Sequence, residues 1–227
     1  MRKFLLAASV LVSLLAPSIT HAYQQGDLIF RAGLVTVDPH ERSEEIDHAT
    51  LGKVPGSKVS LDSETQLGLN YTYMMTDHFG VELLAATPFL GEVKLKGMPG
   101  PYSSLNGRLG DTKYLPPTLS VVYFPLSDLY RFQPYVGVGV NYTAFFKESL
   151  GTSAHRDGFH QLQIDDSIGL AAQVGLDYML TDQFLVNAQV RYIDISTQAT
   201  TKLNGQKVDV DVNIDPMVYM FSVGYRF

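Results

Sequence analysis

The chain has 227 residues, no cysteine and a formal charge of −6. No disulfide framework holds it and no thiol chemistry is open to it. An acidic chain without a basic cluster also argues against nucleic acid as a partner.

Met1-Arg2-Lys3 is a basic start, followed by an apolar run over residues 4–16 and then Pro17. Thr20-His21-Ala22 puts small residues at the two positions a signal peptidase reads. Residues 1–22 therefore read as a secretory signal peptide cleaved after Ala22. The run is shorter than the ~20 residues a membrane-spanning helix needs. Without Arg2 and Lys3, 15 basic residues face 23 acidic ones, a charge of −8.

From residue 23 the chain alternates with the two-residue period of β-strands. Residues 27–37 place Leu28, Phe30, Ala32 and Leu34 on one face, opposite Ile29, Arg31 and Gly33. Residues 65–75 set Leu67, Leu69, Tyr71 and Tyr73 against Gly68, Asn70 and Thr72. Residues 79–89 set Phe79, Val81, Leu83 and Ala85 against Gly80, Glu82 and Leu84. Residues 115–124, 132–145, 167–180 and 184–192 repeat the style. The inward parity there carries Gly137, Gly139, Gly175, Asp177, Asn187, Gln189 and Arg191. Residues 216–227 form the eighth segment, with Met217, Tyr219, Phe221, Val223, Tyr225 and Phe227 on one face. No helical period of useful length is visible.

Residues 76–78, 125–131 and 181–183 make short connections. Residues 38–64, 90–114, 146–166 and 196–207 make long polar ones, expected as loops. Eight strands with short turns at one end and long loops at the other describe an antiparallel transmembrane barrel of the outer-membrane type. A soluble barrel reverses the faces. Here the uniformly apolar parity faces lipid, because burying Arg31, Glu82, Asp177 and Arg191 under lipid is expensive.

The stretch Gln66-Leu-Gly-Leu-Asn-Tyr-Thr-Tyr-Met-Met-Thr-Asp-His-Phe-Gly-Val-Glu-Leu-Leu-Ala-Ala-Thr-Pro-Phe89 resembles the second and third strands of the outer membrane protein W family. Leu115-Pro116-Pro117-Thr118-Leu119, residues 131–143, Gln173-Val174-Gly175-Leu176-Asp177-Tyr178 and the terminal Phe221-Ser222-Val223-Gly224-Tyr225-Arg226-Phe227 extend the likeness over nearly all of residues 23–227. The resemblance implies an eight-stranded outer-membrane barrel, and a family in which some members help small apolar molecules into the cell. A terminal aromatic such as Phe227 also resembles the signal read by the outer-membrane assembly machinery.

The interior of eight strands is just wide enough for side chains or one small ligand. The inward glycines leave two readings open: steric relief for Arg and Tyr side chains or bending of the sheet on one hand, a cavity on the other. A polar constriction is expected from Arg31, Glu82, Asp177, Gln189, Arg191 and Arg226. An apolar extracellular funnel is expected from Val35, Val37, Phe145, Ile193, Ile195, Val210, Val212 and Ile214. Its top is read either as strands that project above the lipid or as a bulge at Asp215-Pro216 that resets parity. Pro88, Pro116 and Pro117 donate no backbone hydrogen bond, so they suggest where the wall opens sideways.

The sequence therefore leaves a passive carrier of small apolar solutes beside a plugged structural or receptor barrel acting through its loops, or a narrow ion channel. No catalytic constellation appears and no cofactor is implied. His40, His48, His155 and His160 lie in the loops, where solvation is the ordinary reading and no metal site is expected. Outer-membrane lipids and a small apolar solute are the expected partners.

Overall fold

The computed structural model describes residues 23–227 apart from 41, 44, 46, 49–51, 99–102, 104–105 and 127–130. The expected leader lies outside the described residues. Eight strands form the barrel: β1 (Leu28–Asp38), β2 (Glu64–Met74), β3 (Phe79–Ala86), β4 (Thr118–Tyr123), β5 (Phe132–Leu150), β6 (Ser167–Met179), β7 (Phe184–Ile193) and β8 (Met217–Arg226). Each pairs antiparallel with its neighbours in sequence. β1 closes the ring against β8, from Ile29 opposite Arg226 to Asp38 opposite Met217. Closure satisfies the backbone groups without leaving an edge, which a bilayer demands.

The outward parity is apolar and bare. Ile168, Leu170, Val138 and Phe221 are each more than 60% exposed, and the inward residues Arg31, Glu82 and Asp177 are fully buried. Aromatic pairs ring the short-turn end: Phe79 with Tyr123 at 4.9 Å, Phe132 with Tyr178 at 4.8 Å, and Phe184 with Tyr225 at 5.0 Å between centroids. Such a girdle sits at a membrane interface. Short turns mark the periplasmic side of these barrels, so both ends of the described chain lie there.

The stretches expected as long loops are in large part strands. Lys58–Ser60 pairs with Phe89–Lys96, which pairs with Gly107–Leu115, which pairs with the upper part of β5. Phe159–Ile164 pairs with Ser196–Leu203, which pairs with Gln206–Asn213. These hairpins carry the wall beyond the lipid band. Their inner residues Val59, Val93, Leu95, Leu109, Val208, Val210 and Val212 are buried, with Lys58, Lys96, Arg108 and Asp211 exposed on the other face. One short helix, α1 (Thr152–Arg156), caps the turn between β5 and Phe159–Ile164.

β7 and β8 stop at Ile193 and start at Met217, and the hairpin above them begins at Ser196 and ends at Asn213. Asp215 takes a φ of +41° in the break. Parity nonetheless holds, since Val212, Ile214, Val218 and Met220 are all buried on the inner side. The hairpin is thus a projecting wall with an apolar lining, and Asp215 bends the chain without resetting its faces.

Candidate functional site: a sealed lumen below an apolar cavity

The lower lumen is filled by a hydrogen-bonded network. Arg31 on β1 donates Nε–H to Asp177 Oδ1 at 3.0 Å and reaches its second oxygen through Nη2. Its other nitrogen donates to Asn70 at 3.0 Å and Thr72 at 2.8 Å on β2. Arg191 on β7 donates to Glu82 on β3 at 2.7 Å, and Glu82 also accepts from Gln173 at 2.8 Å. Arg31 and Glu82 lie 3.6 Å apart, which joins the two pairs. Gln189 donates to Gln173 at 3.1 Å, and Asn187 donates to Asp177 at 2.7 Å. Buried charges need such pairing, because desolvation in a low dielectric outweighs a single contact; Arg191 Nη1 is buried without a hydrogen-bond partner.

Five of the six residues expected in the constriction meet here: Arg31, Glu82, Asp177, Gln189 and Arg191. Arg226 does not. It lies at the periplasmic rim, 3.6 Å from Asp27, and both are partly exposed. Alternation fixes which face a residue takes, but Arg226 is the last residue of β8 and its height puts it outside the network.

Beneath the network is an apolar floor of Ile29, Met74, Val122, Phe124, Met179 and Leu185, with Tyr23 and Tyr135. Tyr23 packs edge-on against Phe124 at 4.9 Å and donates its hydroxyl to Asp177 at 2.6 Å. It precedes the first strand, so alternation gives no signal for it. Some of the inward glycines give room to side chains, and others, such as Gly33 and Gly169, to the backbone of the next strand. A Cβ on Gly175 would lie 2.2 Å from Cζ of Tyr135, and one on Gly224 would lie 2.8 Å from Leu185. Gly175→Ala therefore has to displace Tyr135 from its bonds with Asn187 and Gln189. We expect a loss of about 1–3 kcal/mol, read as a lowered urea midpoint in lipid vesicles.

Above the network the lining turns apolar. Three voids follow one another down from the extracellular mouth, with about 650, 310 and 260 Å³ of space, part of it open to solvent. The upper and middle voids share Val59, Val93 and Ala199. The middle and lower share Leu61, Phe145 and Ile214. Of the residues expected in a funnel, Val37, Phe145, Ile195, Val210, Val212 and Ile214 line these voids. Val35 and Ile193 are buried in the same apolar cluster but line none of the three. Sequence reasoning missed Val59, Val93, Leu95, Leu109, Tyr114 and Phe159, all on stretches expected as loops. The alternation of Val93 with Leu95 was the available signal.

Phe145 is placed by a rim carboxylate. Asp166 accepts the Phe145 amide at 2.9 Å and the Tyr142 hydroxyl, just beyond the last β5–β6 pair, Thr143 with Ser167. These bonds hold the Asp166 carboxyl below the usual range, the Tyr142 hydroxyl contributing most.

At the level of the lower void the ladder between β3 and β4 is interrupted, as is the one between β2 and β3 above Gly68 and Ala86. The β3–β4 ladder ends at Leu84 opposite Thr118, and pairing resumes at Phe89 opposite Tyr114. Residues 85–88 and 115–117 do not pair with each other, and three of these seven positions are the prolines 88, 116 and 117. Behind the gap, Tyr114 stacks on Phe89 at 5.3 Å and leans on Phe145 at 5.9 Å. Exposed Leu83, Leu90 and Leu119 flank it outside, so it lies at a lipid-facing height.

His155 and His160 approach to 6.1 Å between ring centroids. Among the described residues no three His, Asp or Glu side chains gather as a metal site.

The OmpW family model matches residues 24–227. Outer membrane protein W of Vibrio cholerae serotype O1 is 41% identical over 227 residues, the full length of both chains. The crystal structure of outer membrane protein OprG from Pseudomonas aeruginosa superposes with a TM-score of 0.86 at 45% identity, covering 92% of this chain and 99% of that one. The solid-state NMR structure of outer membrane protein AlkL in DMPC bilayers gives 0.66 at 29% identity, covering 93% and 95%. With a closed eight-stranded barrel, a lipid-facing apolar band and full-length relatives of this kind, the chain belongs to the OmpW family and is a bacterial outer-membrane protein.

Proposed function

We propose that this barrel carries small apolar molecules from the outside into the bilayer, passively and without chemistry. The observation that carries the reading is the continuity of the three apolar voids above a lumen filled with paired charges. An apolar solute gains by leaving water for that lining, at ~25 cal/mol per Å² of surface buried. It gains nothing by descending, because the Arg31–Asp177–Glu82–Arg191 network is built of charges held by each other, to which an apolar surface offers nothing. The exit is then sideways, through the proline gap between β3 and β4. Three prolines there remove donors that a continuous ladder needs. The aromatic rings of Phe89 and Tyr114 close the gap when no solute is passing. On this reading the precursor is exported with residues 1–22 removed. Phe227, 71% exposed on the lipid face, is what the assembly machinery recognises.

The test is uptake into liposomes that carry the refolded protein. Against protein-free liposomes, a small apolar probe should equilibrate faster and a sugar of similar size should not. Acceleration of the sugar would mean an aqueous pore. Acceleration of neither would leave a plugged barrel that works through its loops.

A further inference from the structure

The foot of the lower void holds one polar group that an apolar solute does not use. Tyr114 is 7% exposed and lines that void. Its ring is fixed against Phe89 and Phe145. Its hydroxyl has no hydrogen-bond partner among the described residues. Glu64 acts on it electrostatically but accepts no hydrogen bond from it.

The neighbouring polar side chains are already committed. Thr143 donates to Asn141 at 2.7 Å. Asn141 donates to Thr118 at 3.0 Å and to the Pro117 carbonyl at 3.1 Å. Thr118 donates to the Pro116 carbonyl at 3.2 Å. The rest of the void offers Val37, Leu61, Ile195 and Ile214. The hydroxyl is not among the fully buried groups that lack a partner, so water reaches it in the void. A ligand oxygen replaces that water as acceptor, and a hydrocarbon that displaces the water leaves the hydroxyl unbonded at a cost.

Resting on the carrier reading above, we propose that Tyr114 is a hydrogen-bonding subsite. It makes the lower void selective for small apolar molecules bearing one carbonyl or hydroxyl oxygen over hydrocarbons of the same shape. The phenol donates its O–H to that oxygen, and the apolar remainder of the ligand meets Val37, Ile195 and Ile214. The subsite stands directly behind the proline gap, so it holds such a solute at the exit.

Cyclohexanone and methylenecyclohexane share a shape and differ only in oxygen against methylene. Each is titrated into the full barrel in nanodiscs, with the methyl resonances of Val37, Ile195 and Ile214 as the readout. This reports occupancy of the void separately from partition into lipid. Tyr114→Phe keeps the ring and removes the hydroxyl, so it preserves the packing. We expect the variant to bind cyclohexanone about tenfold more weakly and methylenecyclohexane no more weakly. The carbonyl stretch of bound cyclohexanone should fall in the wild type and return towards its apolar-solvent value in the variant. An unchanged cyclohexanone affinity, or equal weakening of both ligands, overturns the subsite and leaves the carrier reading standing. Failure of both ligands to shift these methyls in the wild type removes the carrier reading, and the subsite with it.

Discussion

Asp at both Val212 and Ile214 should reduce uptake of an apolar probe to the rate of protein-free liposomes, a fall of tenfold or more. Both side chains are buried, line the middle void and project from the Gln206–Asn213 wall or the break just below it. A carboxylate there has no cation to pair with among the void's lining residues, which are apolar except for Thr197. It keeps its charge only by drawing water into the void. Burying a polar group without a partner costs ~1–3 kcal/mol in protein mutational data, and an isolated charge costs more. An apolar solute that must displace that water loses the gain it made on leaving bulk solvent. The lipid-spanning ladder does not depend on either residue, since β8 begins at Met217. Heat-modifiable gel mobility should therefore still report a folded barrel. Lysine at the exposed Asp211, on the outer face of the same strand, is the matched control and should leave uptake unchanged. Undiminished uptake in the double variant would remove the funnel from the proposed route.

The barrel was legible in the sequence because lipid imposes one rule on a whole face. Leu67, Leu69, Tyr71 and Tyr73 must all be apolar, and so must Phe221, Val223 and Tyr225, which makes the period of two hard to miss. The wall above the lipid obeys a weaker rule. Its outer face meets water, so Lys58, Lys96 and Arg108 give it the composition of a loop. Its register also shifts between Val93 and Lys94, which breaks the alternation across the Gly107–Leu115 partner. The apolar lining was therefore found only where it continued a recognised strand, as at Val37, Phe145 and Ile195. Val210, Val212 and Ile214 were found because two partner strands changed character together.

The site was legible in part for a related reason. Parity told which charges enter the lumen, but not their heights or partners. It put Arg226 beside Arg31, although the fold sets Arg226 against Asp27 at the rim. Tyr23 was hidden because it precedes the first strand, and Tyr114 because its strand follows a loop-like stretch. In both, the informative fact is where the ring lands after the chain bends, which a local pattern does not encode.

Removing Asp177 should be the most destabilising single change in the lumen. Asp177 takes hydrogen bonds from Arg31, Tyr23 and Asn187 and has no exposed surface. In Asp177→Leu the Arg31 guanidinium keeps Asn70, Thr72 and a 3.6 Å approach to Glu82, but loses its two-pronged partner. Breaking a buried pair in this way costs ~3–5 kcal/mol, chiefly because one charge is left uncompensated. Urea unfolding in lipid vesicles should show that loss. Adding Arg31→Met removes the stranded charge. The double variant should recover at least about 2 kcal/mol, a coupling that a thermodynamic cycle isolates. The two effects also separate stability from carriage. The network lies below the lower void and contributes no residue to its lining, so apolar uptake per folded barrel should survive in the double variant. A sugar or ion leak appearing there would show that the paired charges are what keeps the lumen shut to water. Full stability in the single variant would mean that Glu82 alone satisfies Arg31. The two buried pairs would then have to be treated as one shared cluster around Glu82.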